Sequence, residues 1–129
     1  MEQQRPPGEQ PPTEPDTGPE QPRRISIDRF FETELVVGRV VVAEPVPGAD
    51  RLLRLEVDLG SERRQLVAGI ARSYAPEALV GKRIVVVANL EPARIRGVES
   101  QGMLLAADVG GRPIVATFEE DVPPGTRVR

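Results

Sequence analysis

Apolar and polar residues alternate through much of the chain after residue 25, which is the pattern of half-buried strands. In RLLRLEVDLG (51–60), every second residue from Leu53 to Val57 is apolar and the residues between them are charged. Before it, ELVVGRVVVAEPV (34–46) is rich in β-branched residues and predicts a long strand that bends at Gly38. After it, RRQLVAGI (63–70) predicts a third strand.

Two more strands are predicted in the second half of the chain, from KRIVVVANL (82–90) and GMLLAADV (102–109). Between the third and fourth strands, YAPEALVG predicts one helical turn that begins at Pro76 and ends at Gly81. Ser26 or Asp28 would cap another short helix before the first strand. GGRPIVAT and PPGTRV predict a C-terminal β extension.

Five strands with a short helix between the third and fourth is the element order of an OB-fold, a small Greek-key barrel. The fold class predicted from the pattern is therefore all-β. In an OB-fold, the connection between strands four and five lies beside the usual ligand face. Here that connection is NLEPARIRGVESQG (89–102).

The N-terminal segment, residues 1–24, contains seven prolines and no aromatic or β-branched apolar residue. Such a segment buries too little surface to offset the entropy of ordering it. We therefore predict a disordered Pro-rich tail or linker over 1–24 and a folded domain over 25–129. The tail would either tether the folded domain to another domain or subunit or have no role.

The amino-acid composition restricts the catalytic and metal-binding functions that the chain could have. The chain has 129 residues with no Cys and no His, so thiol chemistry, the commonest general base and the commonest metal ligand are missing. No catalytic residue, cofactor or metal is expected, and the consecutive acids Glu119 and Glu120 are typical of solvated charge. No apolar run approaches 18 residues and the N-terminus resembles no signal peptide, so we expect a soluble cytoplasmic protein.

Basic residues are unevenly distributed, although the net charge is −3. Lys82, Arg83, Arg94 and Arg96 lie within 16 residues that hold one acid, Glu91. A second cluster, over residues 51–72, has five arginines against three acids. These charges are either ordinary solvated surface or part of a phosphate-binding face, for which the planar guanidinium is well suited.

The loop between strands four and five is the best candidate for binding. If its backbone is extended, Arg94 and Arg96 share one face about 7 Å apart, near the spacing of successive phosphates. Asn89 and Ser100 could each donate and accept a hydrogen bond, and Met103 could lie against a base or sugar. Alternatively, Asn89 caps a turn and Met103 belongs to the core. The loop has no aromatic side chain to stack single-stranded bases, which favours a folded RNA.

The motifs NLEPARIRGVESQGMLLAA, VVGRVVVAEPVPGADRLLRLEVDLG and RRQLVAGIARSYAPEALVGKRIVVV closely resemble the tRNA-binding domain of bacterial methionyl-tRNA synthetases. The same domain occurs as a free-standing dimeric tRNA-binding protein. The resemblance covers about residues 25–129. The family pattern N-L-x-P-x-[KR]-I-x-G-x-x-S-x-G-M places its RNA-facing positions at Asn89, Arg94, Ser100 and Met103. Arg96, Lys82 and Arg83 are additions made on charge alone.

The resemblance implies an OB-fold homodimer that binds tRNA by shape, with a C-terminal extension that contributes to the dimer contact. It also implies a non-catalytic role in support of methionyl-tRNA aminoacylation, with a synthetase catalytic chain as a partner. The phenylalanyl-tRNA synthetase β chain begins with a similar barrel, but AGIARSYAPEALVGKRI favours the methionyl type. A dimeric export-related chaperone shares the fold, so a protein-binding function is the alternative.

Overall fold

The computed structural model describes residues 23–129. The prediction for residues 1–24 lies almost wholly outside this range, and the boundary at 25 stays a prediction. Phe31–Arg129 forms one compact unit, which does not include residues 23–30. The strands are β1 (Leu35–Val46), β2 (Ala49–Asp58), β3 (Arg63–Ala68), β4 (Arg83–Val87), β5 (Ala93–Ile95), β6 (Val98–Ser100), β7 (Met103–Leu104), β8 (Ala106–Val109), β9 (Arg112–Val115) and β10 (Arg127–Val128).

Two short helices complete the described elements, α1 (Ile27–Phe30) and α2 (Pro76–Leu79). The Ser26 hydroxyl accepts a hydrogen bond from the Arg29 amide at 3.0 Å, as expected of a helix N-cap. Pro76 begins α2 as predicted, and Gly81 follows it at φ +93°. Each of these helices is four residues long, so no described helix could cross a membrane.

The main sheet is antiparallel, with strand order β3-β2-β1-β4-β7, and β10 pairs with the start of β1. The predicted all-β, OB-fold-like architecture is confirmed, including the helix between β3 and β4. Within residues 23–129 the ladder does not close into a complete barrel. The outer strands β3 and β7 are linked instead through the adjoining loop, where the Gln101 amide donates to the Gln65 carbonyl at 2.8 Å.

The core lies between the strands and α2. The alternation predicted for β2 is confirmed, since Leu53, Leu55 and Val57 are at most 1% exposed. They pack with apolar side chains from every large strand, from α2 and from the C-terminal extension, namely Val40, Leu59, Leu66, Ile70, Leu79, Ile84, Val86 and Val115. The buried Val115 ties β9 to this core, and its amide donates to the Tyr74 hydroxyl at 3.0 Å.

The bend predicted at Gly38 stays a prediction. The register of β1 against β2 shifts between Val40 and Val42 and again between Pro45 and Val46. Gly38 is also needed for packing, because a Cβ there would lie 2.4 Å from the Val57 Cγ1. The predicted fifth strand is interrupted at Leu105, so β7 pairs with β4 whereas β8 forms a separate hairpin with β9.

Candidate nucleic-acid interface

The loop after β4 contains a hairpin that the sequence analysis did not predict. Ala93–Ile95 pairs with Val98–Ser100, and the two-residue turn between them is Arg96-Gly97. Both turn residues have positive φ, +53° for Arg96 and +82° for Gly97. Such a turn matches the right-handed twist of the two strands and normally requires glycine or asparagine-like residues.

This turn corrects the predicted geometry of the two arginines. They do not alternate along one extended strand, because Arg94 lies on β5 and Arg96 lies in the turn. Arg94 instead donates to the Gly97 carbonyl at 3.0 Å and braces the turn. Arg96 donates to the Gly48 carbonyl at 2.7 Å, which connects the hairpin tip to the β1–β2 turn. The structure still brings both guanidiniums to one exposed hairpin.

Ser100 lies beneath the hairpin and is only 4% exposed. Its hydroxyl accepts a hydrogen bond from the Val67 amide at 3.0 Å and donates one to the Gly102 carbonyl at 2.9 Å. The side chain therefore joins the end of β6 to β3. Its predicted contact with RNA remains a prediction, but the geometry gives it an internal, positioning role.

Asn89 and Met103 lie at the two ends of the loop. The Asn89 amide oxygen accepts from the Glu34 amide at 2.9 Å, and its nitrogen donates to the Glu32 carbonyl at 2.6 Å. Asn89 thus bridges to the segment before β1 rather than capping its own turn. Met103 pairs with Val87 across β7 and β4 and is 49% exposed, so it is not a core residue.

Lys82 and Arg83 lie at the other end of β4, about 13 Å of strand from its junction with the loop. Arg83 donates to the Gly81 and Val122 carbonyls and lies 3.6 Å from Asp121. Its charge is directed toward the C-terminal segment. The structure therefore separates these two basic residues from the hairpin that carries Arg94 and Arg96.

Arg64 and Gln65, at the start of β3, hold the loop in place, and the sequence analysis missed both. The Arg64 guanidinium donates to the carbonyls of Ala88 and Gln101, one at each end of the loop. The Gln65 side chain donates to the Glu99 carbonyl at 2.7 Å. The only sequence signal was the polar start, RRQ, of an otherwise apolar strand.

Arginines of the sheet differ in how much of their charge is already compensated. Arg54 makes ion pairs with Glu44 at 2.7 Å and Glu56 at 3.1 Å. The hydrogen bond from Arg54 to Glu44 raises the pKa of Arg54 above its ordinary value. Arg94 and Arg96, in contrast, have no acidic partner among the residues that the structure describes, and both are exposed.

The fold and this basic hairpin define an all-β domain of the oligonucleotide-binding type. A family model described as "Putative tRNA binding domain" matches residues 35–127. The chain belongs to this tRNA-binding domain family.

Relatives of the chain are methionine–tRNA ligases. It is 50% identical to the Bacillus subtilis enzyme over 121 residues and 54% identical to the Thermotoga maritima enzyme over 104 residues. These alignments cover 94% and 81% of this chain but only 18% and 16% of the enzymes. The chain therefore spans less than a fifth of the length of the methionine–tRNA ligases that it matches.

Solved structures agree with this assignment. A MetRS related protein from Pyrococcus horikoshii is 40% identical, with a TM-score of 0.79 over 83% of this chain and 99% of its own. The chaperone CsaA from Bacillus anthracis is 30% identical, with a TM-score of 0.75 over 83% of this chain and 100% of its own. Both are similar to this chain along their full length.

Proposed function

We propose that this domain captures tRNA through backbone charge and shape and so supports methionyl-tRNA aminoacylation. The observation that carries the proposal is the exposed hairpin with Arg94 and Arg96, whose charges lack an acidic partner in the described part of the chain. Exposed guanidiniums suit phosphate oxygens, and electrostatic contacts of this kind are largely independent of sequence.

Each predicted site residue has a role in the proposal that follows from its place. Arg94 and Arg96 contact phosphates directly. Asn89 and Met103, at the two ends of the loop, contact the RNA beside it, and Ser100 holds the loop on β3. Lys82 and Arg83 contribute only long-range attraction, because they lie at the far end of β4.

The catalytic partner would be a methionyl-tRNA synthetase chain, either covalently linked or associated, acting in the cytoplasm. The similarity to part of methionine–tRNA ligases supports this. A tethered binding domain raises the local concentration of tRNA at a catalytic core, and short flexible linkers give values on the order of millimolar. The domain itself would perform no chemistry.

We further propose that two copies associate through the C-terminal extension. Supporting this, the β8–β9 hairpin exposes Val109 at 51% and Ile114 at 37%. Exposed apolar side chains of this size on one small element favour an interface. A dimer would carry two basic hairpins and would therefore dissociate from RNA more slowly than a monomer.

The proposed function is tested by binding of the full chain to total tRNA and to an unstructured RNA of equal length, over a salt series. Preferential binding to tRNA that weakens steeply with salt is expected. Equal or absent binding to both RNAs would contradict the proposal and would direct attention to a protein-binding, chaperone-like function.

The hairpin is tested with Arg94→Gln, compared with Arg63→Gln as a matched control. Arg63 is 64% exposed on β3, and its guanidinium lies 3.9 Å from a Glu56 carboxylate oxygen. Arg94→Gln should lower the slope of log affinity against log salt by about one. The control should change the slope less, because Arg63 lies outside the hairpin and has the Glu56 carboxylate nearby. Equal slopes for both variants would remove Arg94 from the interface.

A further inference from the structure

Arginines line two neighbouring clefts, one of which reaches the β5–β6 hairpin. One cleft, of about 330 Å³, is lined by Arg51, Arg72 and Arg112. The other, of about 420 Å³, shares Arg51 and Arg72 and extends to Arg96 at the hairpin tip. We call the two clefts together the arginine trough, defined by Arg51, Arg72 and Arg96. Arg112 is not included, because it lies opposite Val109 on the β8–β9 hairpin, which we propose as the dimer contact.

Backbone contacts fix the positions of these arginines. The Ala71 amide donates to the Arg51 carbonyl at 3.0 Å, which places Arg72 beside the start of β2. The bond from the Val115 amide to the Tyr74 hydroxyl holds β9 against the same turn. These contacts join residues that are distant in sequence, so the trough exists only in the folded chain.

The trough carries an excess of positive charge. All three arginines are exposed, and among residues 23–129 none of them has an ion pair with an acid. Asp50 is the single acidic residue that lines either cleft. Other arginines of the sheet, such as Arg54 and Arg64, are paired with glutamates. Positive charges gathered along a concave surface attract anions more strongly than scattered ones.

We propose that the arginine trough is a second phosphate-binding site, which holds backbone phosphates of the tRNA beyond those at the hairpin. Continuity supports this, because Arg96 belongs to both surfaces and its bond to Gly48 connects the hairpin to the β1–β2 turn. The chemistry of the ligand is that of phosphodiester oxygens, which a planar guanidinium contacts through paired hydrogen bonds. The inference rests on the proposed tRNA-binding function.

The test is salt-dependent tRNA binding by full-chain variants. Arg51→Gln and Arg72→Gln should each weaken affinity by about three- to tenfold and lower the salt slope by about one. Arg72→Lys should keep most of the slope, because it retains the charge. Arg63→Gln serves again as the control, since Arg63 lies opposite Asp58 in the strand register, at the end of the β2–β3 ladder that is far from Arg51. Thermal unfolding of each variant verifies that it is folded.

The results of these measurements distinguish the arginine trough from the β5–β6 hairpin as phosphate-binding surfaces. If Arg94→Gln lowers the slope but the Arg51 and Arg72 variants do not, the trough is overturned while the proposed function stands. If Arg72→Lys loses as much slope as Arg72→Gln, the effect is not one of charge and the phosphate site is overturned. If the unaltered chain shows no salt-dependent preference for tRNA, the proposed function fails, and the trough fails with it.

Discussion

Arg96 occupies a backbone conformation that arginine rarely adopts, with φ +53°. For an L-residue other than glycine, asparagine or aspartate, this conformation costs about 1 kcal/mol or more. The cost is offset by the hairpin turn with Gly97 and by the bond to the Gly48 carbonyl. A strained residue at an exposed tip is typical of a site where the side chain matters for function.

Arg96→Asn should separate stability from binding. Asparagine tolerates positive φ, so relief of the backbone strain should offset the loss of the bond to the Gly48 carbonyl, and the free energy of unfolding should stay within about 1 kcal/mol of that of the unaltered chain. Affinity for tRNA should fall by about three- to tenfold, because one phosphate contact is lost. Chemical denaturation and a salt series of RNA binding measure the two effects. A variant that binds tRNA like the unaltered chain would show that Arg96 is only a turn residue.

Glu62 provides a pH-dependent contribution to stability. The hydrogen bonds from Arg64, together with its positive charge, lower the pKa of Glu62 below its ordinary value of 4.5. Because the folded-state pKa is depressed, the stabilisation is fully present above pH 4.5 and is lost as the pH falls through the lower folded value. Glu62→Gln should therefore destabilise the chain at pH 7 and not at pH 2.5.

Thermal unfolding at both pH values measures this difference. Glu119→Gln is a suitable control, because Glu119 is exposed and makes no ion pair with another described residue. An equal loss of melting temperature at both pH values in Glu62→Gln would contradict the electrostatic explanation.

Ser100→Ala tests the internal role of the serine. The change would leave the buried Val67 amide and the Gly102 carbonyl without their present partner. An unsatisfied buried group costs about 1–3 kcal/mol, so the free energy of unfolding should fall by that amount. If Ser100 only positions the loop, any loss of tRNA affinity should accompany the loss of stability, and the salt slope should be unchanged. A lower affinity at every salt concentration with unchanged stability would instead place the hydroxyl in contact with RNA.

The β5–β6 hairpin lies beside β3, a strand that is partly buried and partly exposed. β3 is partly apolar and joins the core. Near its start, however, the side chains of Arg64 and Gln65 donate hydrogen bonds to backbone carbonyls of the loop after β4. A short hairpin of three-residue strands is marginally stable in isolation. The hairpin therefore stays ordered through the hydrogen bonds from β3 and through the bond between Arg96 and the β1–β2 turn. This supports a preorganised binding loop, which pays less ordering entropy when RNA binds.

β1 is the element least tolerant of change, because it pairs with β2, β4 and β10. Gly38→Ala would place a Cβ 2.4 Å from the Val57 Cγ1 and 2.9 Å from the Val86 Cγ2. Overpacking of this kind costs about 1–3 kcal/mol. Chemical denaturation should show that loss, whereas Gly69→Ala, where a Cβ meets nothing within 4 Å, should be far milder. Equal stability of the two variants would contradict the packing argument.

At the scale of the whole molecule, the proposed dimer predicts a dependence on the β8–β9 hairpin. Val109→Asp or Ile114→Asp would place a charge on an exposed apolar position and should shift sedimentation toward the monomer. The expected tRNA affinity is then weaker, because one basic hairpin is lost from each particle. A chain that sediments as a monomer at all concentrations would contradict the dimer, while leaving the RNA-binding proposal intact.

The proposed link to a catalytic chain also concerns the whole molecule. A binding domain that holds tRNA mostly by phosphate contacts has little means of choosing between tRNAs. The choice would then fall to a linked catalytic chain, and this domain would raise the local concentration of tRNA. The similarity to only 16–18% of the length of methionine–tRNA ligases fits such a division of work.

The sequence by itself determined the first four main strands and their succession along the chain, the helix between the third and fourth of them, and the apolar face of β2. These features follow from alternation and from Pro and Gly signals, which act over a few residues. The basic character of the loop after β4 is also visible in the sequence, because the arginines and glycines of this loop lie close together along the chain. The family pattern then identified the class of ligand.

Only the tertiary structure decided how that loop is built and what lies beside it. The hairpin turn at Arg96-Gly97, the burial of Ser100 and the hold of Arg64 on both loop ends depend on hydrogen bonds between distant segments. The arginine trough likewise joins β2, the turn after β3 and the tip of the β5–β6 hairpin. Local patterns do not encode such contacts, because they form only when the sheet has brought those segments together.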